Sequence, residues 1–246
     1  MRKTTTAYLA YFDILGFQHI VAKLSNEELD ELYSKIMRDT QWAYADDGKQ
    51  VSRIELHPVF LNSLIKAVNV SDSIVFFSKD DSEDSLKAML KAVSKFVSWL
   101  ETHCSCRGCL VHGSFNYLLG NVKNATDEIA YNVSAIYGKA LIEAYKKAES
   151  QEWIGCFIDE SVINHSSANG FKSNNFEHYV EYEIPFKKSI KKKGFVLKMT
   201  LSDSNGIAHE DQVKALFERN RLEFSDEVRL KYENTLAFRK YCNSLT

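Results

Sequence analysis

Residues 7–16 have the sequence AYLAYFDILG, an apolar and aromatic run that contains one charged residue and ends at a glycine. Short apolar runs that end at a turn residue are typical of buried strands, so we predict a strand over residues 7–15. Asp13 stands near the end of this strand. Because an ionised carboxylate is costly to bury alone, Asp13 needs a partner.

A second carboxylate stands in a similar place further along the chain. Residues 59–70 and 73–77 are both strand-like, and the two-residue step Ser71-Asp72 between them predicts a tight hairpin. If the strands are neighbours, Asp13 and Asp72 meet and form an oxygen site suited to Mg²⁺ or Mn²⁺. The alternative is that Asp13 caps the following helix and Asp72 is an ordinary turn residue. The residues alone favour neither interpretation.

In the rest of the chain, segments whose apolar residues have helical spacing alternate with strand-like segments. Apolar residues from Leu86 to Leu100 recur at spacings of three and four, which predicts a helix. We predict further helices after Ser25, over 139–149 and from His209 onward. Further strands are predicted over 107–118 and 154–158, with a last pair, 178–184 and 194–200, around a Lys-rich turn. The first six elements match a ferredoxin-like βαββαβ core, an α+β fold with a mixed, mostly antiparallel sheet. We expect its helices on one face and the other face free for a substrate or partner.

Composition excludes several classes of protein. The 246 residues carry 31 Lys and Arg against 33 Asp and Glu, so a dedicated nucleic-acid binder is not expected. No apolar run approaches about 18 residues and residues 1–6 lack a signal-peptide core, so we expect no membrane span and a cytoplasmic protein. The odd number of cysteines, five, fits a reducing compartment. His103, Cys104, Cys106, Cys109 and His112 resemble a zinc set, but buried free cysteines are the favoured interpretation.

Four motifs in order resemble one family. They are FDILGF at residues 12–17, SDSIV at 71–75, RGCLVHG at 107–113, and YGKALIEAY at 137–145 with Glu149. Their order and spacing resemble the class III nucleotide cyclases over about residues 7 to 160. The residues within these motifs look most like those of the pyrimidine cyclases (uridylate and cytidylate cyclases) of bacterial Pycsar anti-phage systems.

The resemblance implies a lyase that makes a cyclic nucleotide second messenger for antiviral defence. It implies two divalent ions, Mn²⁺ or Mg²⁺, held by the catalytic residues Asp13 and Asp72 and the carbonyl of Ile14. Gly16 and the helix start after it offer free backbone N–H groups, so we predict that Ile14, Leu15, Gly16 and Phe17 cradle the phosphates. Arg107 and Lys146 are candidates for further nucleotide contacts, although Lys146 is more typical of an exposed helix position. The family works as a homodimer with composite active sites, and a separate effector protein would sense the product. We assign residues 1–205 to the cyclase domain and 206–246 to a helical C-terminal extension packed on or near it.

Departures from the purine cyclases narrow the expected substrate. Val68 and Ala135 stand where purine cyclases carry a Lys and an Asp that read the base, which supports UTP or CTP, with UTP favoured. Ile142 and Lys146 stand where those enzymes carry an Asn and an Arg that stabilise the transition state. Two alternatives therefore stay open: a catalytically inactive nucleotide-binding or regulatory module, and an adenylate cyclase.

Three other features have ordinary interpretations that we prefer. Lys191, Lys192 and Lys193 are expected in a solvated basic turn rather than against phosphates. Phe60 and Trp42 are possible base contacts, although each is more typical of a core.

Overall fold

The computed structural model describes residues 3–45, 64–123, 129–201 and 207–245, which form eight strands and seven α-helices. The strands are β1 (Lys3–Ile14), β2 (Ile65–Val70), β3 (Ser73–Ser78), β4 (Cys106–Lys123), β5 (Ile129–Tyr137), β6 (Gly155–Ile158), β7 (Tyr179–Phe186) and β8 (Ile190–Leu197). The helices are α1 (Phe17–Lys23), α2 (Asn26–Tyr44), α3 (Glu83–Leu100), α4 (Lys139–Glu149), α5 (Glu160–Ala168), α6 (His209–Arg219) and α7 (Asp226–Ser244).

All eight strands join one sheet of order β2-β3-β1-β4-β6-β8-β7, and β5 pairs with the distal part of β4. The β4–β6 pair is parallel, whereas the other described pairs are antiparallel. Strands β2, β3, β1 and β4 have the order of the ferredoxin-like core, with α1 and α2 filling the first crossover and α3 the second. The predicted fold class is confirmed.

Helices lie on both faces of this sheet. Neighbouring side chains of a strand point to opposite faces. The ring of Phe12 contacts Phe96 of α3 at 5.0 Å between centroids, whereas Tyr11 contacts Tyr145 of α4 at 5.6 Å. The two helices therefore cover opposite faces, and the expectation that all helices share one face is wrong for α4.

Small side chains bring α4 against the second face. Ala140, Ala144 and Ala148 form a buried row at intervals of four residues. The facing strand β4 contributes Gly113, where a Cβ atom would lie 3.3 Å from the Cβ of Ala140. Because neither surface carries bulk at this contact, the helix packs closely on the strand and covers part of the face expected to be free.

Most of the predicted elements are confirmed. The hairpin between β2 and β3 turns on Ser71-Asp72, and Ser71 takes a positive φ of 54°. Helix α4 has the predicted bounds, and α2 begins at a capping box in which Ser25 and Glu28 bond reciprocally. Residues 59–63 of the predicted strand lie outside the described residues. Helices α1 and α5 and strand β5 were not predicted.

Two predicted regions near the C-terminus need correction. The turn between β7 and β8 is formed by residues 187–189, so Lys191, Lys192 and Lys193 are exposed residues of strand β8. The helical pattern after His209 divides into α6 and α7, because the chain turns at Arg221 with a φ of 54°. A positive φ in a residue with a side chain breaks a right-handed helix.

Helices α6 and α7 pack on the sheet through a second hydrophobic cluster. It contains Leu15, Ile154, Val213, Leu216, Phe217 and Val228. The buried Asn220 joins this cluster to the sheet: its amide donates to the carbonyls of Leu15 and Ser105, and its oxygen accepts from the N–H of Ser105. The boundary we assigned at residues 205/206 falls in 202–206, outside the described residues.

The structure also bears on the predictions about the cysteines and about membrane-spanning helices. All five cysteines are buried and free, as predicted. Among the helices that the structure describes, none has both the length and the hydropathy of a transmembrane span.

Candidate active site

Asp13 and Asp72 lie at the same end of two neighbouring strands. In β1, Asp13 is opposite Ser73 of β3 on one side and Arg107 of β4 on the other. The hairpin turn that carries Asp72 is fixed to β1, because the N–H of Ile14 donates to the carbonyl of Asp72 at 3.0 Å. The β1–β3 pairing therefore places Asp13 and the turn that carries Asp72 at the same end of the two strands.

Arg107 is the immediate partner of Asp13. Its Nε and Nη2 donate to Oδ2 of Asp13 at 2.9 and 2.8 Å. Its Nη1 donates to the carbonyls of Glu149 and Gln151, at the C-terminal end of α4. Arg107 is buried, and a cation at the C-terminal end of a helix is favourably placed. The pair links β1, β4 and α4 beneath the site.

The electrostatics of Asp13 are those of a carboxylate that needs positive charge. Burial raises the pKa of Asp13, and the nearby carboxylates of Asp72 and Glu149 raise it further. The guanidinium of Arg107 acts in the opposite direction, yet the net pKa remains above the ordinary value. One arginine thus leaves the negative charge of this site incompletely balanced, and a bound cation would complete the balance.

Tyr11 is a site residue that the sequence analysis missed. It lies two residues before Asp13, on the same face of β1, and its hydroxyl is 2.6 Å from Oγ of Ser73. Burial raises the pKa of Tyr11 to about 12, so the hydroxyl stays protonated. The period of two along β1 was the signal that places Tyr11 beside Asp13.

The loop after β1 is only partly available for phosphate. The N–H of Ile14 bonds to Asp72 and that of Leu15 donates to the carbonyl of Ser105 at 3.0 Å. These two groups of the expected cradle are therefore occupied, which leaves Gly16 and Phe17 as its predicted donors. Gly16 has a φ of 67°, and a Cβ atom there would meet Leu222 at 2.3 Å. The segment between α6 and α7, which carries Leu222, thus packs against this loop and holds it in place.

The other predicted residues do not all lie near this centre, and Ala135 lies opposite the distal part of β4, far from Arg107. On α4, Ile142 and Lys146 are both exposed, next to Tyr145. Val68 is buried in β2 opposite Val75, and Ala135 lies in β5 opposite Leu118. Trp42 is half-buried in α2, and Phe60 lies outside the described residues.

The donor set at this end of the sheet fits a hard divalent cation. Two carboxylates and backbone carbonyls are the oxygen ligands that Mg²⁺ and Mn²⁺ prefer. The raised pKa of Asp13, caused first by burial and then by the nearby carboxylates of Asp72 and Glu149, is one that a bound cation would lower. The residues present therefore fit the metal ions that the sequence resemblance implies.

Comparison with known proteins supports the fold. No protein-family model matches the sequence, and no curated protein matches it significantly. A bacterial light-regulated adenylyl cyclase matches with a TM-score of 0.53 and 9% identity, over 98% of this chain and 58% of that chain. A double mutant of the guanylyl cyclase domain of the RhoGC fusion protein from the aquatic fungus Blastocladiella emersonii matches with a TM-score of 0.51 and 12% identity, over 80% and 97%.

A third solved structure is the catalytic core of a rhodopsin-guanylyl cyclase with converted specificity in complex with ATPαS. It matches with a TM-score of 0.50 and 11% identity, over 80% of this chain and 97% of that chain. The chain has the class III nucleotide cyclase fold. In the last two of these matches, 80% of this chain aligns with 97% of the similar protein, which is nearly the whole length of that cyclase domain.

Proposed function

We propose that the protein is a pyrimidine nucleotide cyclase that converts UTP, or CTP as the second choice, to the 3′,5′-cyclic monophosphate and pyrophosphate. One observation carries the proposal: in a cyclase fold, the bonded pair Asp13 and Arg107 and the turn that carries Asp72 lie at one end of the central strands. Two acidic residues beside a buried arginine are the groups that a magnesium- or manganese-triphosphate substrate requires.

The carboxylates of Asp13 and Asp72 and the carbonyl of Ile14 would hold two divalent ions. When bound, these ions would stabilise negative charge on the entering and leaving oxygens. The chain's own part is to keep Asp13 ionised and oriented. Arg107 does this with two hydrogen bonds to a single carboxylate oxygen, Oδ2. Fixing the ligand before substrate arrives lowers the cost of ordering it during the reaction.

The reaction joins two parts of one substrate molecule. The ribose 3′-hydroxyl gives its proton to solvent as its oxygen attacks the α-phosphorus in line, the bond from that phosphorus to the bridging oxygen breaks, and pyrophosphate leaves. Arg107 has capacity left for a phosphate oxygen, because its Nη2 carries two hydrogens and lies 3.8 Å from Oε1 of Glu149, beyond hydrogen-bond distance. The N–H groups of Gly16 and Phe17 are the backbone donors proposed for the same triphosphate, and Lys146 is a further contact from α4.

The pyrimidine preference is supported by the residues at two positions. Val68 and Ala135 offer no side-chain hydrogen bond, so the paired polar groups with which purine cyclases read the base are missing. A site without those groups loses its discrimination in favour of a purine. The choice of UTP over CTP rests on the resemblance to the pyrimidine cyclases of anti-phage systems. In that setting the product is a second messenger sensed by a separate effector.

A homodimer with composite active sites completes the proposal. Apolar side chains are exposed around the site in the single chain: Val70 beside the Asp72 turn, and Ile142 and Tyr145 on α4. Exposed apolar groups that surround a polar site are typical of an interface. A second copy would cover them and supply contacts to the nucleotide from across the interface.

The test is incubation of the purified protein with each of the four nucleoside triphosphates and Mn²⁺, with the products identified by mass spectrometry. We expect a cyclic pyrimidine nucleotide and an equal amount of pyrophosphate. Cyclisation of ATP alone would contradict the pyrimidine assignment and favour an adenylate cyclase. Nucleotide binding by calorimetry without pyrophosphate release would favour the inactive module, for which Ile142 and Lys146 are the supporting residues.

A further inference from the structure

Three metal-binding side chains converge on the opposite face of the same strand pair. His112 lies in β4 opposite Tyr8 of β1, five positions from the Arg107–Asp13 pair. An odd step along a strand changes the face, and five residues span about 16 Å. Asp81 comes from the segment between β3 and α3, and His165 comes from α5. This His–Asp cluster, defined as Asp81, His112 and His165, is therefore separate from the candidate active site.

The three side chains are close, and the two imidazole rings are nearly parallel. Nε2 of His112 lies 3.6 Å from Oδ2 of Asp81, and Nε2 of His165 lies 4.0 Å from the same oxygen. The two imidazole rings stack at 3.9 Å between centroids with 21° between their planes. One ligand atom from each residue lies within 4.8 Å of the other two.

A buried nitrogen in this cluster faces a carboxylate but is too far from it for a good hydrogen bond. Nε2 of His112 is inaccessible to solvent and makes no hydrogen bond within the part of the chain that the structure describes. Buried polar atoms in native proteins almost always have a partner, and leaving one unpaired is unfavourable. The lone pair of an imidazole nitrogen that faces a second imidazole and a carboxylate is a ligand for a cation.

We propose that Asp81, His112 and His165 bind one Zn²⁺ ion. Two imidazole nitrogens and one carboxylate oxygen suit zinc, whereas Mg²⁺ and Ca²⁺ prefer oxygen ligands alone. With metal–ligand bonds of about 2.0–2.1 Å, the ligands of a tetrahedral zinc ion lie about 3.4 Å apart. The distances to Asp81 exceed that spacing, so binding draws the three side chains together and turns the two stacked rings so that each points a nitrogen at the ion. Asp81 is partly exposed, so a water molecule can reach the fourth position.

The surroundings already orient the ligands. The hydroxyl of Tyr8 donates to the carbonyl of Asp81 at 3.0 Å, and its ring packs against both imidazoles. The backbone N–H of His112 donates to Oγ of Ser161 at 3.0 Å. His165 has Nε2 at 3.1 Å from the carbonyl of Asp81, a contact that it exchanges for the metal. Supporting contacts of this kind fix ligand orientation in metal sites.

The role of this ion is structural. Its ligands come from a central strand, from the segment that leads into α3 and from α5, so the ion clasps two peripheral elements to the sheet. A ligand set absent from the unfolded chain stabilises the folded state when it binds metal. The substrate site on the other face does not depend on it for ligands.

The test is a titration of the metal-free full chain with zinc chloride, followed by thermal denaturation and metal analysis after dialysis. The Asp72→Asn variant serves as background, since it lacks one ligand of the other site. We expect one zinc per chain and a higher Tm, with affinity reduced at least about tenfold in His165→Asn and in His112→Gln. His178→Gln is the matched control, because His178 is exposed and outside the cluster.

Equal zinc content and equal Tm shifts in His165→Asn, His112→Gln and the control would overturn the proposal. Cobalt provides a measurement that needs no variant. Titration of the unaltered chain with Co²⁺ should give the intense visible absorption of a four-coordinate ion. The weak spectrum of a six-coordinate ion alone would contradict the site.

Discussion

The β1–β4 strand pair carries two polar sites of opposite design on its two faces. Beside Asp13, carboxylates predominate and a buried arginine compensates part of their charge. In the His–Asp cluster two imidazoles face one carboxylate, and Nε2 of His112 is buried without a hydrogen bond in the described part of the chain. The carboxylates beside Asp13 suit Mg²⁺ or Mn²⁺ bound together with a triphosphate. The imidazoles of the His–Asp cluster suit the structural zinc ion that we propose.

The difference shows how one scaffold keeps two chemistries apart. Residues opposite each other in the ladder share a face, so the register alone decides that Asp13 joins Arg107 and that Tyr8 joins His112. A change at one face should therefore leave the metal binding of the other intact. The predictions below test that separation, from the largest expected effect to the smallest.

Asp72→Asn should have the largest effect. Loss of this proposed ligand should lower the rate of cyclisation by about 100-fold or more, because charge stabilisation in the transition state is lost. Asp72 is half-buried in a turn, so the Tm should change little. Pyrophosphate release measures the rate, and Asp30→Asn on the exposed face of α2 is the control. Full activity in Asp72→Asn would remove it from the mechanism.

Arg107→Ala should have the largest effect on stability. It leaves the buried carboxylate of Asp13 without its partner, and breaking a buried pair in this way costs about 3–5 kcal/mol. Urea denaturation in the absence of metal measures the loss. Arg229→Ala, at an exposed position of α7, should change the free energy of unfolding by less than about 0.5 kcal/mol. Similar values for the two variants would show that the Asp13–Arg107 pair is not buried in solution.

Gly16→Ala tests how the C-terminal helices brace the loop of the candidate site. Gly16 and Gly170 have nearly equal φ angles of 67° and 66°, but a Cβ atom meets Leu222 at the first and nothing at the second. Backbone strain should cost both alanine variants about 1–2 kcal/mol. The clash should cost Gly16→Ala about 1–3 kcal/mol more.

The double variant Gly16→Ala/Leu222→Ala separates these two contributions. Relative to Leu222→Ala alone, the added cost of Gly16→Ala should fall to the value found for Gly170→Ala. Equal losses for the two single alanine variants would instead mean that the segment at Leu222 does not press on the loop. The free energy of unfolding from urea denaturation is the quantity compared.

The smallest expected effect is a shift in the pH dependence of Mn²⁺ binding. Burial raises the pKa of Asp13, with Arg107 opposing it. Because the ionised carboxylate is the ligand, affinity should be full above this raised pKa and decline as the pH falls through it. The decline should therefore begin at a higher pH than for an ordinary aspartate. Calorimetric titrations at several acidic pH values measure it, and affinity that holds until the ordinary aspartate range contradicts the shift.

Local periodicity and turn chemistry made much of the fold predictable. The β2–β3 hairpin follows from two apolar runs around Ser71-Asp72, and α3 follows from apolar spacings of three and four. The strand β5 was predictable in principle, because Ile129, Tyr131, Val133 and Ala135 recur at every second position. That α4 covers the second face of the sheet was not predictable, because its buried side is a row of alanines. Alanine is only weakly apolar, so this row gives little hydrophobic periodicity.

The two sites differ in how much of them can be predicted. Asp13 and Asp72 stand out because each interrupts or ends an apolar strand, which is a local signal. The His–Asp cluster draws on residues 81, 112 and 165, whose separation in sequence carries no metal-binding spacing. His112 was grouped with the cysteines of its own segment, yet Cys109, three residues away in β4, points to the opposite face. Tertiary packing alone brings the three ligands together.

The central claim is tested most directly in a single competition reaction. Equal concentrations of ATP, GTP, CTP and UTP are incubated with Mn²⁺ and the purified protein, and cyclic products are quantified by mass spectrometry. The account predicts 3′,5′-cyclic UMP, or cyclic CMP, as the dominant product, formed about 100-fold more slowly or slower still by Asp72→Asn. A dominant cyclic purine nucleotide, or an undiminished rate in Asp72→Asn, would contradict it.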